Sequence, residues 1–348
     1  MLKPILTEEQ LKQINIWLSD CTRFVICAHI SPDGDAIGSS LGFASFLRSL
    51  GKDVTIVMPN QFPEFLHWMS GADTILLANR DTEQVKEAFA AAEVICCLDF
   101  NDLSRIEELG EIARDASADF WLIDHHLDPG DFSKVSVSFP NMSSTCEVVF
   151  RIIYQLGGFG TMTKEAAECI YCGMCTDTGG FTYNSNSSDI FFIISLLLEK
   201  GIDKDLIYRK IYNNYSANRV HLMGYVLYEK LQVLEDVHAS YFTLDREELE
   251  RFQYIKGDAE GLVNIPLTIK GMKLSISLRE DLEKNRIWVS LRSVDDFPCN
   301  KMSEAFFNGG GHKNAAGGHL DCSMGEAIEL VKKAIHEYKP LLLEKNSY

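Results

Sequence analysis

Short apolar runs that stop abruptly at acidic or imidazole side chains recur through the first half of the chain. Phe24 to Ala28 stops at His29, Val94 to Leu98 stops at Asp99, and Phe120 to Ile123 stops at Asp124, His125 and His126. Runs this short and this continuously apolar predict strands covered on both faces, as in a parallel sheet between helices. Asp53 to Val57 predicts another. Helical patterns lie between them. Residues 7–20 carry Thr7 and Gln10 at capping-box spacing, and Ala36 to Leu50 is closed by Gly51. Further helices are expected around Gln84 to Ala92, from a Ser144/Glu147 capping box to about Leu156, and from Thr163 to Cys175. Beyond Asp189 the pattern is helical over Ile190 to Lys200 and again from Lys204 to about Leu234. After that it alternates by twos in Ala239 to Leu244, Lys273 to Leu278 and Ile287 to Leu291, and ends in an amphipathic helix, Ser323 to Tyr338.

This order predicts an α/β fold in two domains. Residues 1–190 would form a mostly parallel sheet flanked by helices. Residues 191–235 would be a helical linker, and residues 236–348 a smaller α+β domain with a mixed sheet. A chain of 348 residues is long enough for two separate cores.

Composition narrows the function classes. The formal charge of −17 argues against a protein that coats long DNA or RNA, because backbone binding needs many phosphate-neutralising cations. No apolar stretch approaches the roughly 18 residues of a membrane span, and the first twenty residues are polar and helical, so a cytoplasmic protein is expected. The ten cysteines sit inside apolar runs and read as reduced core thiols. Cys169, Cys172 and Cys175 come closest to an iron–sulfur pattern but lack a fourth cysteine and lie in a helical stretch.

The candidate chemistry lies at the strand ends, where ligands of open α/β sheets bind. His29, Asp33 and Asp35 flank a turn between strand and helix, where Gly34 and Gly38 fit a tight turn and a close backbone approach. Carboxylates crowded this way repel unless cations neutralise them, although aspartate also favours helix N-caps. Asp99, Asp124 and the isolated Asp177 join them at other ends. Arg105 is placed either to reach a phosphate or to pair with Asp102 or Glu108. In the second domain, Gly309, Gly310 and Gly311 could turn successive N–H groups towards an anion, with His312 and Lys313 adding donors. From Asn264 to Gly318, eight Lys and Arg face six Asp and Glu, a local reversal of sign that points to an anionic ligand.

Together and in this order, these residues resemble the DHH phosphoesterase superfamily, in the branch that carries the DHH-associated domain. The resemblance spans nearly the whole chain, and its size and two-domain plan are most similar to bacterial NrnA-type enzymes. It implies one divalent cation on His29, Asp33 and Asp99 and a second on Asp35, Asp99, His125 and Asp177, with Asp99 shared. Oxygen and imidazole donors without thiolates suit Mn²⁺, with Mg²⁺ or Zn²⁺ as alternatives. The implied role of His126 is to donate to the phosphate or protonate the leaving oxygen, with Asp124 fixing the histidine tautomer or a ligand's orientation. Arg292, Ser293 and His312 are similar to a family grip on a terminal phosphate, which would let the cleft between domains measure substrate length. The implied activity is hydrolysis of very short oligoribonucleotides, and of 3′-phosphoadenosine 5′-phosphate (pAp). The alternatives are a phosphodiesterase for cyclic di-AMP or linear dinucleotides and, from another class, a non-catalytic nucleotide sensor. The expected partners are short RNA and nucleotides, not long DNA or membranes, with a homodimer as the expected assembly.

Overall fold

A computed structural model describes residues 2–255 and 257–344, which divide into two units, Met1–Asn214 and Tyr215–Tyr348. Among the described residues, no helix is long and apolar enough to cross a membrane, and all ten cysteines are free.

The first unit holds a sheet of six parallel strands: β1 (Arg23–Cys27), β2 (Asp53–Met58), β3 (Leu76–Leu77), β4 (Val94–Leu98), β5 (Asp119–Asp124) and β6 (Val135–Ser138). Their spatial order is β3-β2-β1-β4-β5-β6, so the chain runs outwards one way from β1 and then returns to its other side. That reversal opens a crevice between β1 and β4, the place where doubly wound sheets bind ligands. The helices are α1 (Glu8–Asp20), α2 (Gly34–Ser49), α3 (Thr82–Ala91), α4 (Glu108–Asp115), α5 (Thr145–Gln155), α6 (Lys164–Asp177), α7 (Ser188–Glu199) and α8 (Lys204–Tyr212).

Alternate strand residues feed two cores. Phe24 and Ile26 of β1 pack in the larger core with α1, α2 and α5 to α8. Val25 and Cys27 of the same strand face α3 and α4. Covering on both faces explains why Phe24–Cys27 of β1 and the whole of β4 are apolar. The short edge strands β3 and β6 escape the sequence pattern because two residues, or four that alternate Val and Ser, carry too little periodicity.

Helices α2 and α6 approach unusually closely along a stripe of glycines. A Cβ on Gly34 would fall 2.4 Å from Thr176 Oγ1, one on Gly38 2.4 Å from the Cys169 carbonyl oxygen, and one on Gly42 2.6 Å from Ile170 Cγ1. The close packing brings the C-terminal end of α6, with Asp177, beside the N-terminal end of α2, with Asp35. Gly38→Ala is therefore expected to destabilise the protein by about 1–3 kcal/mol, the usual cost of overpacking, because a backbone oxygen cannot swing aside. Urea unfolding of this variant checks it; an unchanged midpoint would refute the close packing.

The Thr7/Gln10 capping box forms as expected. The Ser144/Glu147 box does not form in full: Ser144 caps α5, but the Glu147 carboxylate turns to Ser143 and to the buried guanidinium of Arg151. A buried arginine needs a charged partner more than an N-cap needs a second bond. The long pattern over Lys204 to Leu234 is broken as well. It ends as α8 at Tyr212, and the chain resumes as α9 (Ala217–Tyr225), capped by Ser216. Residues 191–235 thus divide between cores, with Ile193 and Leu197 in the first unit and Leu222 and Val226 in the second.

The second unit carries a mixed sheet of β7 (Gln232–Leu234), β8 (Ala239–Leu244), β9 (Leu274–Glu280), β10 (Ile287–Ser293), β11 (Gly310–His312) and β12 (Ala315–Leu320). Their order is β11-β12-β10-β9-β8-β7, with only β8 and β9 parallel. Helices α11 (Cys299–Phe306) and α12 (Met324–Glu337) pack on one face, and α9 and α10 (Arg246–Arg251) on the other. The glycine run is not an open loop. Gly310 and Gly311 pair with Gly317 and Ala316 in a hairpin, and the glycines serve close packing. A Cβ on Gly309 would lie 1.9 Å from the Gly317 oxygen, and Gly311 has φ +137°.

Candidate active site

The strands β1, β4 and β5 end level with one another: Cys27 lies opposite Cys97, and Leu98 opposite Ile123. The next residues of each strand therefore leave the sheet at one edge. His29 follows β1, Asp99 follows β4, and Asp124, His125 and His126 close β5. Asp99 has φ +64°, a left-handed conformation that aspartate tolerates better than most residues. Its amide nitrogen still donates to Ile123 O at 3.1 Å, so the kink turns the carboxylate off the ladder without loosening it.

Asp33 caps α2, its Oδ1 accepting from the amide nitrogens of Asp35 and Ala36. The capping and site readings of this residue are thus compatible, since Oδ1 also lies 4.0 Å from His29 Nε2. Asp35, in the first turn of the helix, is fully buried. Its two oxygens accept from the Thr145 and Cys146 amides at 2.6 and 2.8 Å, at the N-terminus of α5, where the helix dipole favours an anion. Asp177 is the last residue of α6 rather than part of a turn.

Asp99 is the centre of the cluster. Its Oδ2 lies 3.4 Å from His29 Nε2 and its Oδ1 3.5 Å from His125 Nε2. His125 Nε2 is also 3.3 Å from Asp177 Oδ2 and 3.9 Å from Asp35 Oδ2. Potential ligand atoms fall into three overlapping groups, each within 4.8 Å: His29, Asp33 and Asp99; Asp35, His125 and Asp177; and Asp99, His125 and His126.

Among the described residues, the ion-pair partners of these four carboxylates are all imidazoles. Burial, and then the charges of Asp35 and Asp33, hold the Asp99 carboxyl well above its ordinary pKa. Asp177 is raised well above for the same reasons, and Asp35 is raised chiefly by burial. Such crowding is unfavourable unless cations answer it, and the oxygen and nitrogen donors fit hard or borderline divalent ions. The cysteines do not compete as ligands here: burial raises the thiols of Cys146 and Cys172 well above the ordinary value.

His126 packs edge to face on His125 but is held by a different carboxylate. Its Nδ1 lies 2.8 Å from Asp124 Oδ1 and 3.8 Å from Asp99 Oδ1. Burial opposes its charged form, but the bond to Asp124 and the Asp99 charge prevail and raise its pKa. Asp124 Oδ2 is buried with no hydrogen-bond partner, so His126 is the chief answer to that carboxylate's charge.

Thr145 was not expected from the sequence. Its hydroxyl donates to Asp99 Oδ1 at 2.9 Å while its amide holds Asp35. It followed a good N-cap serine and read as an ordinary helix start. Thr145→Val should keep the amide bond to Asp35, lose the hydroxyl bond to Asp99, and lower metal affinity or activity roughly 10–100-fold, as changes in ligand-orienting groups do. Titration of metal-free protein with Mn²⁺ beside the wild type measures it.

Residues 23–174 match the DHH family, N-terminal domain, and residues 236–338 match the DHHA1 domain. The crystal structure of an exopolyphosphatase-related protein from Bacteroides fragilis is 51% identical, with a TM-score of 0.96 over 99% of this chain and 100% of that one. The chain belongs to the DHH family. Another DHH relative is the bifunctional oligoribonuclease and PAP phosphatase NrnA of Thermus thermophilus, 28% identical over 90% of this chain and 89% of that protein. The cyclic-di-AMP phosphodiesterase GdpP of Geobacillus thermodenitrificans is 25% identical over 92% of this chain, which spans about half (48%) of its length.

The remaining expected site residues of this DHH protein are placed as follows. Arg105 is exposed, and its carbonyl accepts from Ile30 N at 2.9 Å, which ties its turn to the loop after His29. In the DHHA1 unit, Arg292 Nη1 donates to Leu291 O at 2.9 Å. The buried Ser293 hydroxyl donates to Phe297 O and accepts from Asn314 Nδ2. His312 ends the edge strand β11. Part of the local positive surplus is answered nearby, since Lys313 pairs with Asp296, Lys301 with Glu304 and Arg286 with Asp321.

Proposed function

We propose that this protein is a two-metal phosphohydrolase that degrades very short oligoribonucleotides and dephosphorylates pAp. The observation that carries the reading is the buried Asp99, whose two oxygens lie 3.4 Å from His29 Nε2 and 3.5 Å from His125 Nε2 and so stand between the His29/Asp33 group and the Asp35/His125/Asp177 group. His29, Asp33 and Asp99 would hold one cation, and Asp35, Asp99, His125 and Asp177 the other. Bound there, Mn²⁺ or a similar divalent ion supplies a counter-charge for the phosphate and activates water for attack. The likeness to an oligoribonuclease and PAP phosphatase over most of both chains favours this chemistry.

The protein's own groups do the rest. Asp99 and Asp35 stay in register because Thr145 and the α5 N-terminus fix their oxygens. Asp124 Oδ1 accepts a hydrogen bond from His126 Nδ1–H, which fixes the ring and assigns the phosphate-facing role to Nε2. A raised pKa keeps that imidazole charged to higher pH, which suits it to donate to a phosphate oxygen or protonate the departing oxygen. On the DHHA1 unit, Arg292 and His312 are the phosphate-recognising residues. The hairpin of Gly309, Gly310 and Gly311 presents His312, and Ser293 braces the turn behind Arg292. Arg105 would meet substrate phosphate on the DHH unit. A cytoplasmic homodimer completes the proposal.

The test is a side-by-side assay of the full chain with Mn²⁺ on 5′-phosphorylated RNA dinucleotides, pAp and cyclic di-AMP. Turnover of the first two is expected to exceed that of cyclic di-AMP. Preference for cyclic di-AMP would favour the second reading, which the likeness to GdpP keeps alive; tight nucleotide binding without turnover of any substrate would mark a sensor.

A further inference from the structure

The DHH unit also carries an open cleft of about 280 Å³ whose chemistry differs from that of the acidic cluster. One wall follows β2 and contributes Glu64, Phe65 and Trp68. The other is the end of α8, with Arg209, Lys210 and Asn213. Lys210 Nζ lies 4.1 Å from the centroid of the Trp68 ring, and Trp68 Nε1 is buried with no hydrogen-bond partner. Cations in the last turn of a helix are favoured by its dipole alone. Phe65 and Trp68 are half-buried against the large core, but they also line the cleft opposite these cations, and the Trp68 indole N–H has no acceptor.

We propose that this cleft is a nucleotide subsite, which holds a base and its phosphate from the part of a short RNA strand beyond the bond being hydrolysed. The inference rests on the oligoribonuclease reading above and extends it. Aromatic faces next to cations are how single strands are held without sequence preference, the base stacking on the ring and the cation meeting the phosphate. Asn213 and Glu64 add donors and acceptors suited to a base edge. A bare phosphate chain would leave the rings unused and be repelled by Glu64. Lys210 now covers the half-buried Trp68 ring, and a nucleotide that stacks there would displace the ammonium towards its own phosphate.

Both walls are tied to segments that carry the catalytic cluster. Asn60, in the stretch leading from β2 to Glu64, accepts from Ser31 N at 2.7 Å, between His29 and Asp33. Tyr212, next to Asn213, donates its hydroxyl to Cys175 O at 2.9 Å, two residues before Asp177. The segments that bear the two walls are thus each hydrogen-bonded to a segment that bears ligands of the cluster.

The test uses the full chain, a fluorescein-labelled RNA tetranucleotide with chelator to stop turnover, and then unlabelled tetranucleotide and pAp with Mn²⁺. Trp68→Ala and the double variant Arg209→Ala/Lys210→Ala should each weaken tetranucleotide binding about tenfold. The double variant should also flatten the salt dependence, its slope falling by about 0.7 for each phosphate that no longer meets a cation. The KM for tetranucleotide should rise in step, while kcat and KM for pAp, which has no further nucleotide, stay at wild-type values. Unchanged tetranucleotide affinity in both variants would overturn the proposal, as would equal losses on pAp. So would a Trp68→Ala variant that binds normally while the double variant loses linear tetraphosphate as strongly as RNA, since the cleft would then hold phosphate chains. If wild-type protein binds the tetranucleotide through this cleft but hydrolyses nothing, the subsite stands and the hydrolase reading fails. If hydrolysis proceeds and is indifferent to both variants, the hydrolase reading stands and the subsite fails.

Discussion

Asp99→Asn is expected to abolish hydrolysis, with a loss well beyond the roughly 10–100-fold that follows from disturbing a ligand's supporting partner. Asparagine is the informative replacement because it tolerates the left-handed backbone at this position, whereas alanine would add strain to the loss of the carboxylate. The same change alters stability in the opposite direction when metal is removed. Burial and mutual charge raise the carboxyl pKa of Asp99, Asp177 and Asp35 in the fold. Between an unfolded value of about 3.9 and those raised values, the folded state binds more protons than the unfolded one, so stability falls as pH rises through that window. Chelated wild-type protein should therefore melt at a lower temperature at pH 8 than at pH 5. Asp99→Asn, with one fewer buried charge, should show a smaller decline. Adding Mn²⁺ should reverse the order: a ligand at about 100 times its Kd stabilises the wild type by about 2.7 kcal/mol, and the variant gains far less. Equal melting curves for the two proteins with and without metal would remove Asp99 from the centre of the site.

Much of this site was legible because a strand buried on both faces is apolar to its end. The first polar residue then marks the edge of the sheet, and His29, Asp99 and Asp124 announce themselves. What lay beyond that signal was harder to read. The hydroxyl of Thr145 matters only because α5 starts beside Asp99, a fact of packing rather than of local sequence. Gly34 and Gly38 suggested a close approach, but the stripe through Gly42 needs its partner α6 to be seen. The glycines before His312 read as an anion nest because flexibility and tight hairpin packing use the same residue. The wall of Phe65 and Trp68 and that of Arg209 and Lys210 lie far apart in the chain, and each alone is an ordinary loop or helix end.

His125→Ala and His126→Ala are expected to fail in different ways, although the residues are neighbours. Their rings pack edge to face, with centroids 4.9 Å apart, but their nitrogens meet different partners. His125 Nε2 lies 3.3 to 3.9 Å from oxygens of Asp177, Asp99 and Asp35, so removing it opens a ligand position among three carboxylates that repel. His126 is held through Nδ1 by Asp124, and this bond spends the nitrogen nearer to Asp99. His125→Ala should therefore bind metal at least about tenfold more weakly and recover part of its rate at high Mn²⁺. His126→Ala should keep wild-type metal content and lose about 10²–10⁴-fold in kcat, the usual contribution of a positioned proton donor, at every Mn²⁺ concentration. Metal analysis of the purified proteins and kcat measured across a Mn²⁺ series separate the two. Asp99, His125 and His126 also form a group close enough to share an ion. Loss of metal from His126→Ala, with retention in His125→Ala, would accordingly move His126 from the phosphate to the metal and leave Asp124 as the group that orients a ligand rather than an acid.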